Sequence, residues 1–366
     1  MFNMNIKKLD IFNPLILVIL VYVYLLFSFI GFEFHLKELV EIHNYTLFVI
    51  FLGLITYIIG IFVSKYLLAK YEFEINESKL EKITSEKVLV SIVLLGILFQ
   101  VINMIYLGGI PLFSGYLKAK AVTRIWLASY LLFLPSINLL LAKYDDKKYY
   151  VLFIIGLLLF ALTGYRTTAM AIVLSVFITV YYTKDLPWKY IILSIVSIFI
   201  LLMVVGYVAV KSIEWQTWTL NPLELIFYRA GYTLQVLDHA VFMQHSTNGQ
   251  LLYNTLTGFF KSTDPRVIVG STTLGYAHST TSTIFGPALL DFGLWAMLIQ
   301  MFILGLILKL FYDIQMEYKG IFIGLYAMLL AHTIIWIETG PTDLVITLFF
   351  LLSLILVAYS IHIKNK

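Results

Sequence analysis

Long apolar runs alternate with short polar connectors along the chain. A bilayer core about 30 Å thick needs roughly 20 apolar residues per helix. Runs close to that length occur at 12–32, 44–64, 88–108, 123–142, 149–163, 167–182, 190–210, 286–311, 319–338 and 344–363. They are continuous, without the alternation of barrel strands, and in lipid a helix satisfies its own backbone groups. The pattern predicts an all-α, polytopic transmembrane helix bundle of about ten spans, forming a single integral-membrane domain over residues 1–366. No internal repeat subdivides it. Lys7 and Lys8 precede the first run and no small-residue cleavage site follows it, which reads as a retained signal anchor.

Two places depart from the simple pattern. The runs 149–163 and 167–182 are 15 and 16 residues long, reaching only roughly 22–24 Å as helices. Their turn, Thr163-Gly164-Tyr165-Arg166-Thr167-Thr168, is therefore expected below the membrane surface. Irregular backbone there is tolerated only against protein or a water-filled cavity. The second place is the one long loop, 211–285. Within it Asn221-Pro222-Leu223-Glu224 reads as a helix start, with Asn as N-cap, Pro at the first position and Glu three residues on. Apolar residues then recur at 223, 226, 227, 230, 234, 237 and 241, predicting an amphipathic helix of about 20 residues.

Composition narrows the function. The chain is 61% hydrophobic and 13% charged, against about a quarter charged in a soluble domain. A water-soluble enzyme is excluded. A formal net charge of +4 over 366 residues gives no nucleic-acid footprint. The absence of cysteine removes disulfides, iron–sulfur clusters, thiolate zinc sites and cysteine nucleophiles, and the histidine spacings fit no metal motif. Basic residues set the orientation. With the N-terminus cytoplasmic, sixteen fall inside and nine outside, so both termini are expected in the cytoplasm and 211–285 outside. All sixteen inner residues are lysines, while the four arginines (Arg124, Arg166, Arg229, Arg266) all fall outside. Chance gives that partition about once in 100 deals, since the orientation rule does not distinguish the two types. Arginine's planar fork suits carboxylate or phosphate oxygens held in fixed geometry. Beside ordinary salt bridges, the partition fits an outward-facing site for a phosphate-bearing ligand.

Arg166 is the sharpest candidate, because an ionisable group at membrane depth reads as functional by default and the following helix N-terminus favours an anion. Arg229 flanks the stripe of the amphipathic helix. Its polar side carries Tyr228, Tyr232, Gln235 and His239, suited to stacking on sugars and hydrogen-bonding them. The hydroxyl-rich run 270–283 surrounds His278, a candidate base near neutral pH. Asp291 sits one turn inside the eighth span, where it either complements the helix dipole or serves as an acid near the site. His332 and Glu338 are weaker candidates, six residues apart and so on different helix faces.

Gly109-Ile110-Pro111-Leu112-Phe113-Ser114, Thr163-Gly164-Tyr165-Arg166-Thr167 and Gly286-Pro287 with Asp291-Phe292-Gly293-Leu294 stand in this order, with the long loop between the last two. In these motifs the chain resembles the O-antigen polymerases, or oligosaccharide repeat-unit polymerases, including their archaeal relatives. The resemblance implies a metal-independent, cofactor-free glycosyltransferase on the outer face of the membrane. It would join polyprenyl-diphosphate-linked oligosaccharides, one as donor and one as acceptor, with a chain-length regulator or flippase as further partners. It also implies that outer arginines, here Arg166 and Arg229, hold diphosphates; Arg266 and Arg124 join them as candidates from the arginine partition, and His278 and Asp291 are the catalytic candidates from the residues themselves. A ligase passing the chain to another acceptor stays open, as does a flippase or exporter. A transporter would show inverted repeats and charge in both halves.

Overall fold

The computed structural model describes residues 10–144, 146–184, 186–211, 219–258, 260 and 264–365. Lys7, Lys8, Lys261 and Lys366, used above to orient the chain, lie outside them. Fifteen α-helices follow in order among the described residues: α1 (Ile16–Glu33), α2 (Asn44–Lys70), α3 (Glu77–Glu81), α4 (Glu86–Leu107), α5 (Gly115–Lys120), α6 (Arg124–Tyr144), α7 (Lys147–Ala161), α8 (Arg166–Thr183), α9 (Trp188–Lys211), α10 (Pro222–Phe242), α11 (Gln250–Thr257), α12 (Pro265–Leu274), α13 (Gly286–Tyr318), α14 (Ile321–Thr339) and α15 (Leu344–Ser360). One short antiparallel ladder, Tyr71–Ile75 with Ile361–Asn365, joins the end of α2 to the C-terminal segment.

Each of the ten apolar runs is a helix. Among the described residues, eight helices are long and apolar enough to cross a membrane. The exceptions among the ten are α7, with 15 residues, and α15, with 17. The eighth run is longer than expected. α13 extends to Tyr318 and breaks at Gly293, whose φ of +76° is a conformation glycine adopts readily.

α14 is apolar all round and buried along nearly its whole length, so it forms the centre. α6, α8, α13, α15 and α1 surround it. Between α2 and α13 the contact is close enough to depend on glycine. A Cβ on Gly60 would lie 2.1 Å from the Phe302 carbonyl oxygen, and one on Gly305 would lie 2.1 Å from that of Tyr57. Such approach of backbones is how helices associate in lipid, where there is no hydrophobic drive between them. Polar side chains add to this. Asn138 of α6 donates to the Ser175 hydroxyl at 3.0 Å and accepts from that of Thr179 at 2.9 Å, both on α8. At the end remote from the α7–α8 turn, the Asp10 carboxylate accepts from the hydroxyls of Tyr182 and Tyr312.

α10 begins at the predicted cap. Asn221 accepts from the Leu223 and Glu224 amides, and Glu224 accepts from the Asn221 amide. The helix lies along α1, where a Cβ on Gly31 would meet the Phe227 carbonyl oxygen at 2.6 Å. Asp238 fastens it to the start of α2, accepting from the His43 amide and the Thr46 hydroxyl. The other described residues of the long loop are more ordered than the sequence pattern suggested. They include α11 and α12, which are too short to register as a period, and α12 starts at the Asp264 cap followed by Pro265. Within the hydroxyl-rich run, Thr273, Thr280, Ser282 and Thr283 are buried, so much of that run packs inward.

Candidate functional site

The first and second motifs of the sequence pack against each other. The Leu112 amide donates to the Leu162 carbonyl at 2.9 Å, and the Tyr165 hydroxyl donates to the Lys118 carbonyl at 3.0 Å. Gly164 makes the turn between α7 and α8 with φ +74°, and its Cα side faces Leu112 and the Lys118 stem. This arrangement delivers Arg166 at the first residue of α8, a helix start with no side-chain cap.

Arg166 reaches the end of α14. Its Nη2 donates to Glu338 Oε1 at 2.5 Å. Arg229, from the middle of α10, donates to the same oxygen through Nη2 at 3.0 Å and Nε at 3.3 Å. Two guanidinium groups thus share one carboxylate, and all three side chains keep a quarter to a third of their surface exposed. The remaining N–H groups of both arginines find no acceptor among the described residues. Lys118 stands nearby; burial first, then the charges of Arg166 and Arg229, lower its pKa to about 8. Among the described residues, this cluster sets three cations against one anion while Lys118 is protonated.

These arginines head a groove of about 450 Å³ whose other walls are apolar: Leu20, Val23 and Phe27 of α1, Ile195, Phe199 and Met203 of α9, and Met170 of α8. Tyr24 lines it too, its buried hydroxyl without a partner among the described residues. An apolar trough ending in paired guanidinium groups is complementary to an amphiphile with an anionic head.

A second, smaller cavity of about 70 Å³ lies behind the first, lined by Trp126, Tyr130, Tyr165, Thr167, Thr168, Arg266, His332 and Asp343. Thr167 and Ile335 border both spaces. His332 is locked: a carbonyl only accepts, so Nδ1 donates to Met328 O at 2.8 Å, and Nε2 accepts from the Tyr130 hydroxyl at 3.1 Å. Arg266 donates through Nε to Asp264 at 3.0 Å, and that cation holds the Asp264 carboxyl below the usual range against its burial. Asp343 is different. Burial raises its pKa, Arg266 offsets this only in part, and no group among the described residues donates to its carboxylate.

The structure therefore joins Arg166 and Arg229, the first two arginines singled out, and separates them from the other two. Arg266 stands beyond the Thr167–Ile335 wall, in the second cavity. Arg124 is exposed and donates to the Phe260 carbonyl at 3.0 Å, tying the long loop to α6. Tyr228 and Tyr232 stack with ring centres 5.9 Å apart, and Tyr232 approaches the Thr280 hydroxyl; neither lines either cavity. Gln235 donates to the Val40 carbonyl, tying α10 to the α1–α2 connector, and the His239 ring donates to the Thr273 carbonyl, a tie within the loop. His278 is exposed beside Tyr276 and lines neither cavity. Asp291 is occupied at the start of α11, where it accepts from the Leu251 and Leu252 amides and the Thr247 hydroxyl. It also borders a third space of about 460 Å³, an apolar groove between α11, α13, α14 and α15 with no cation among its lining residues. Sequence reasoning gave Glu338 little weight and passed over Asp343 and Trp126. The only available signal was that Glu338 and Asp343 bracket the end of one span.

The chain is 32% identical to one uncharacterized protein of Methanocaldococcus jannaschii over 261 residues, covering 71% of this chain and 62% of that one. It is 26% identical to a second from the same organism over 283 residues, covering 75% and 77%. No solved structure matches it. The family model "Putative O-antigen polymerase" matches residues 10–350. This multi-pass membrane protein, with its paired arginines at the head of an apolar groove, belongs to the O-antigen polymerase family, membrane polymerases of glycan biosynthesis that act on lipid-linked oligosaccharide repeat units.

Proposed function

We propose that the protein polymerises polyprenyl-diphosphate-linked oligosaccharide repeat units at the outer face of the cell membrane, both of its termini lying in the cytoplasm. The observation that carries this reading is the sharing of the Glu338 carboxylate by Arg166 and Arg229 at the head of the apolar groove. Glu338 stands where a phosphate oxygen would bind and keeps both forks in place. A donor's diphosphate then binds to the free N–H groups of the two arginines, to Lys118 and to the first amides of α8. The polyprenyl chain lies along α1, α8 and α9. When the sugar leaves, negative charge grows on the diphosphate, and pre-placed cations stabilise that charge more in the transition state than in the ground state. The excess of basic residues on the inner connectors, sixteen against nine, supports the assigned orientation. The asymmetric placing of arginine favours transfer at one surface over transport across the membrane.

Reconstitution in liposomes with lipid-linked oligosaccharides extracted from the source membranes tests this directly. The expected product is a ladder of lipid-linked lengths. Arg166→Ala and Arg229→Ala each should weaken polyprenyl diphosphate binding by on the order of 10-fold or more and remove the ladder, with the protein still monodisperse in detergent. Unextended substrate crossing to the other leaflet would support a flippase instead. A single product on a different acceptor would support a ligase.

A further inference from the structure

The cavity beyond the Thr167–Ile335 wall has the makings of a second substrate site. Three aromatic residues form one side: Trp126 and Tyr130 stack with centres 5.4 Å apart, and Tyr165 lies 6.5 Å from Trp126. Trp126 is 8% exposed, and its indole N–H has no hydrogen-bond partner among the described residues. Polar groups that line the same space are Thr167, Thr168, Arg266 and Asp343. Aromatic faces beside a buried unpaired donor, a carboxylate and hydroxyls match the apolar faces and hydroxyl rim of a sugar. At about 70 Å³ the space takes several water-sized groups, hence the hydroxyl-bearing edge of one ring and not a whole oligosaccharide.

Asp343 is the basic group in this space that is still uncommitted. An aspartate just before a helix ordinarily accepts from the first-turn amides, yet no such bond reaches the Asp343 carboxylate among the described residues, although α15 begins at Leu344. The other candidates are engaged or elsewhere. His332 Nε2 accepts from Tyr130, both oxygens of Asp291 cap α11, and His278 is outside.

We propose that this cavity receives the attacking hydroxyl of the acceptor sugar, and that Asp343 is the catalytic base that takes its proton, with Trp126 holding the ring. The assignment rests on the reading of the Arg166–Arg229 groove as the donor site. The acceptor O–H bond breaks and its proton goes to the Asp343 carboxylate. The freed electron pair forms the new bond to the donor's anomeric carbon. The bond from that carbon to the diphosphate oxygen breaks, and its electron pair leaves on the diphosphate, between Arg166 and Arg229. Burial places the Asp343 carboxyl above the ordinary range, nearer the working pH of a base. Arg266, Asp264, Tyr130, Tyr165 and His332 are the other titratable or charged groups around it.

The test compares wild type, Asp343→Asn, Asp343→Glu and Trp126→Phe in two assays: binding of polyprenyl diphosphate alone, and ladder formation from extracted lipid-linked oligosaccharides. Asp343→Asn should keep the binding constant within about two-fold while turnover falls by about 100-fold or more. Asp343→Glu should recover part of that turnover, which a folding defect would not allow. Trp126→Phe should raise KM for acceptor severalfold with a smaller change in kcat. An Asp343→Asn protein that elongates at the wild-type rate overturns the base and leaves the donor groove standing, as does one that loses binding in parallel with turnover. Failure of wild type to bind polyprenyl diphosphate overturns the donor reading, and the acceptor assignment falls with it.

Discussion

At the residue scale, Lys118 ties the site to pH. Its pKa is lowered from 10.5 to about 8, chiefly by burial and then by the two arginines. The unfolded chain binds this proton up to about 10.5 and the folded chain only up to about 8. Stability of the empty protein therefore rises with pH between those values. Ligand affinity moves oppositely, because the third cation disappears as pH climbs through about 8. Polyprenyl diphosphate binding should weaken on the order of 10-fold from pH about 7 to about 9, and Lys118→Arg should flatten the curve, as isothermal titration can show. Asp291 makes a contrasting case. Asp291→Ala removes the acceptor for two α11 amides and one hydroxyl, a cost of about 1–3 kcal/mol. The expected result is a lower Tm in detergent with polyprenyl diphosphate binding intact; unchanged Tm with lost turnover would return Asp291 to the chemistry. The arginines were legible because charge at membrane depth is rare. Asp343 was not, since one acid in a short connector looks like any cap until its missing hydrogen bonds are seen. Nor could the sequence show that Arg166 and Glu338 meet, as 172 residues separate them.

At the scale of elements, hydrophobic runs exposed the spans because lipid demands length and apolarity together. The α10 start was legible from its cap and stripe. α11 and α12 left no such period, being about two and three turns long. The glycines that set the α2–α13 distance were equally silent, since a glycine within an apolar run carries no label. A side chain at Gly305 must displace the Tyr57 carbonyl or separate the helices. Gly305→Val should therefore spoil assembly, costing about 1–3 kcal/mol or more. Loss of the monodisperse peak in size-exclusion chromatography would report it, whereas a normal elution profile and Tm would show that the contact yields.

Taken as a whole, the molecule is asymmetric. One apolar groove ends in guanidinium groups, while the other, beside α13, has no cation among its lining residues. A lipid in the second groove would be held by its tail alone. On the proposed reaction the lengthened chain would then sit on that loosely held carrier, with the spent diphosphate in the firm seat. The product must then let go and return as donor before another unit can be added. Growth is thus expected to be distributive, with no enzyme molecule keeping its own chain. In a time course at excess substrate, short products should advance together as one narrow front. Full-length chains beside untouched substrate at the earliest times would mean that the carrier passes from one groove to the other without leaving.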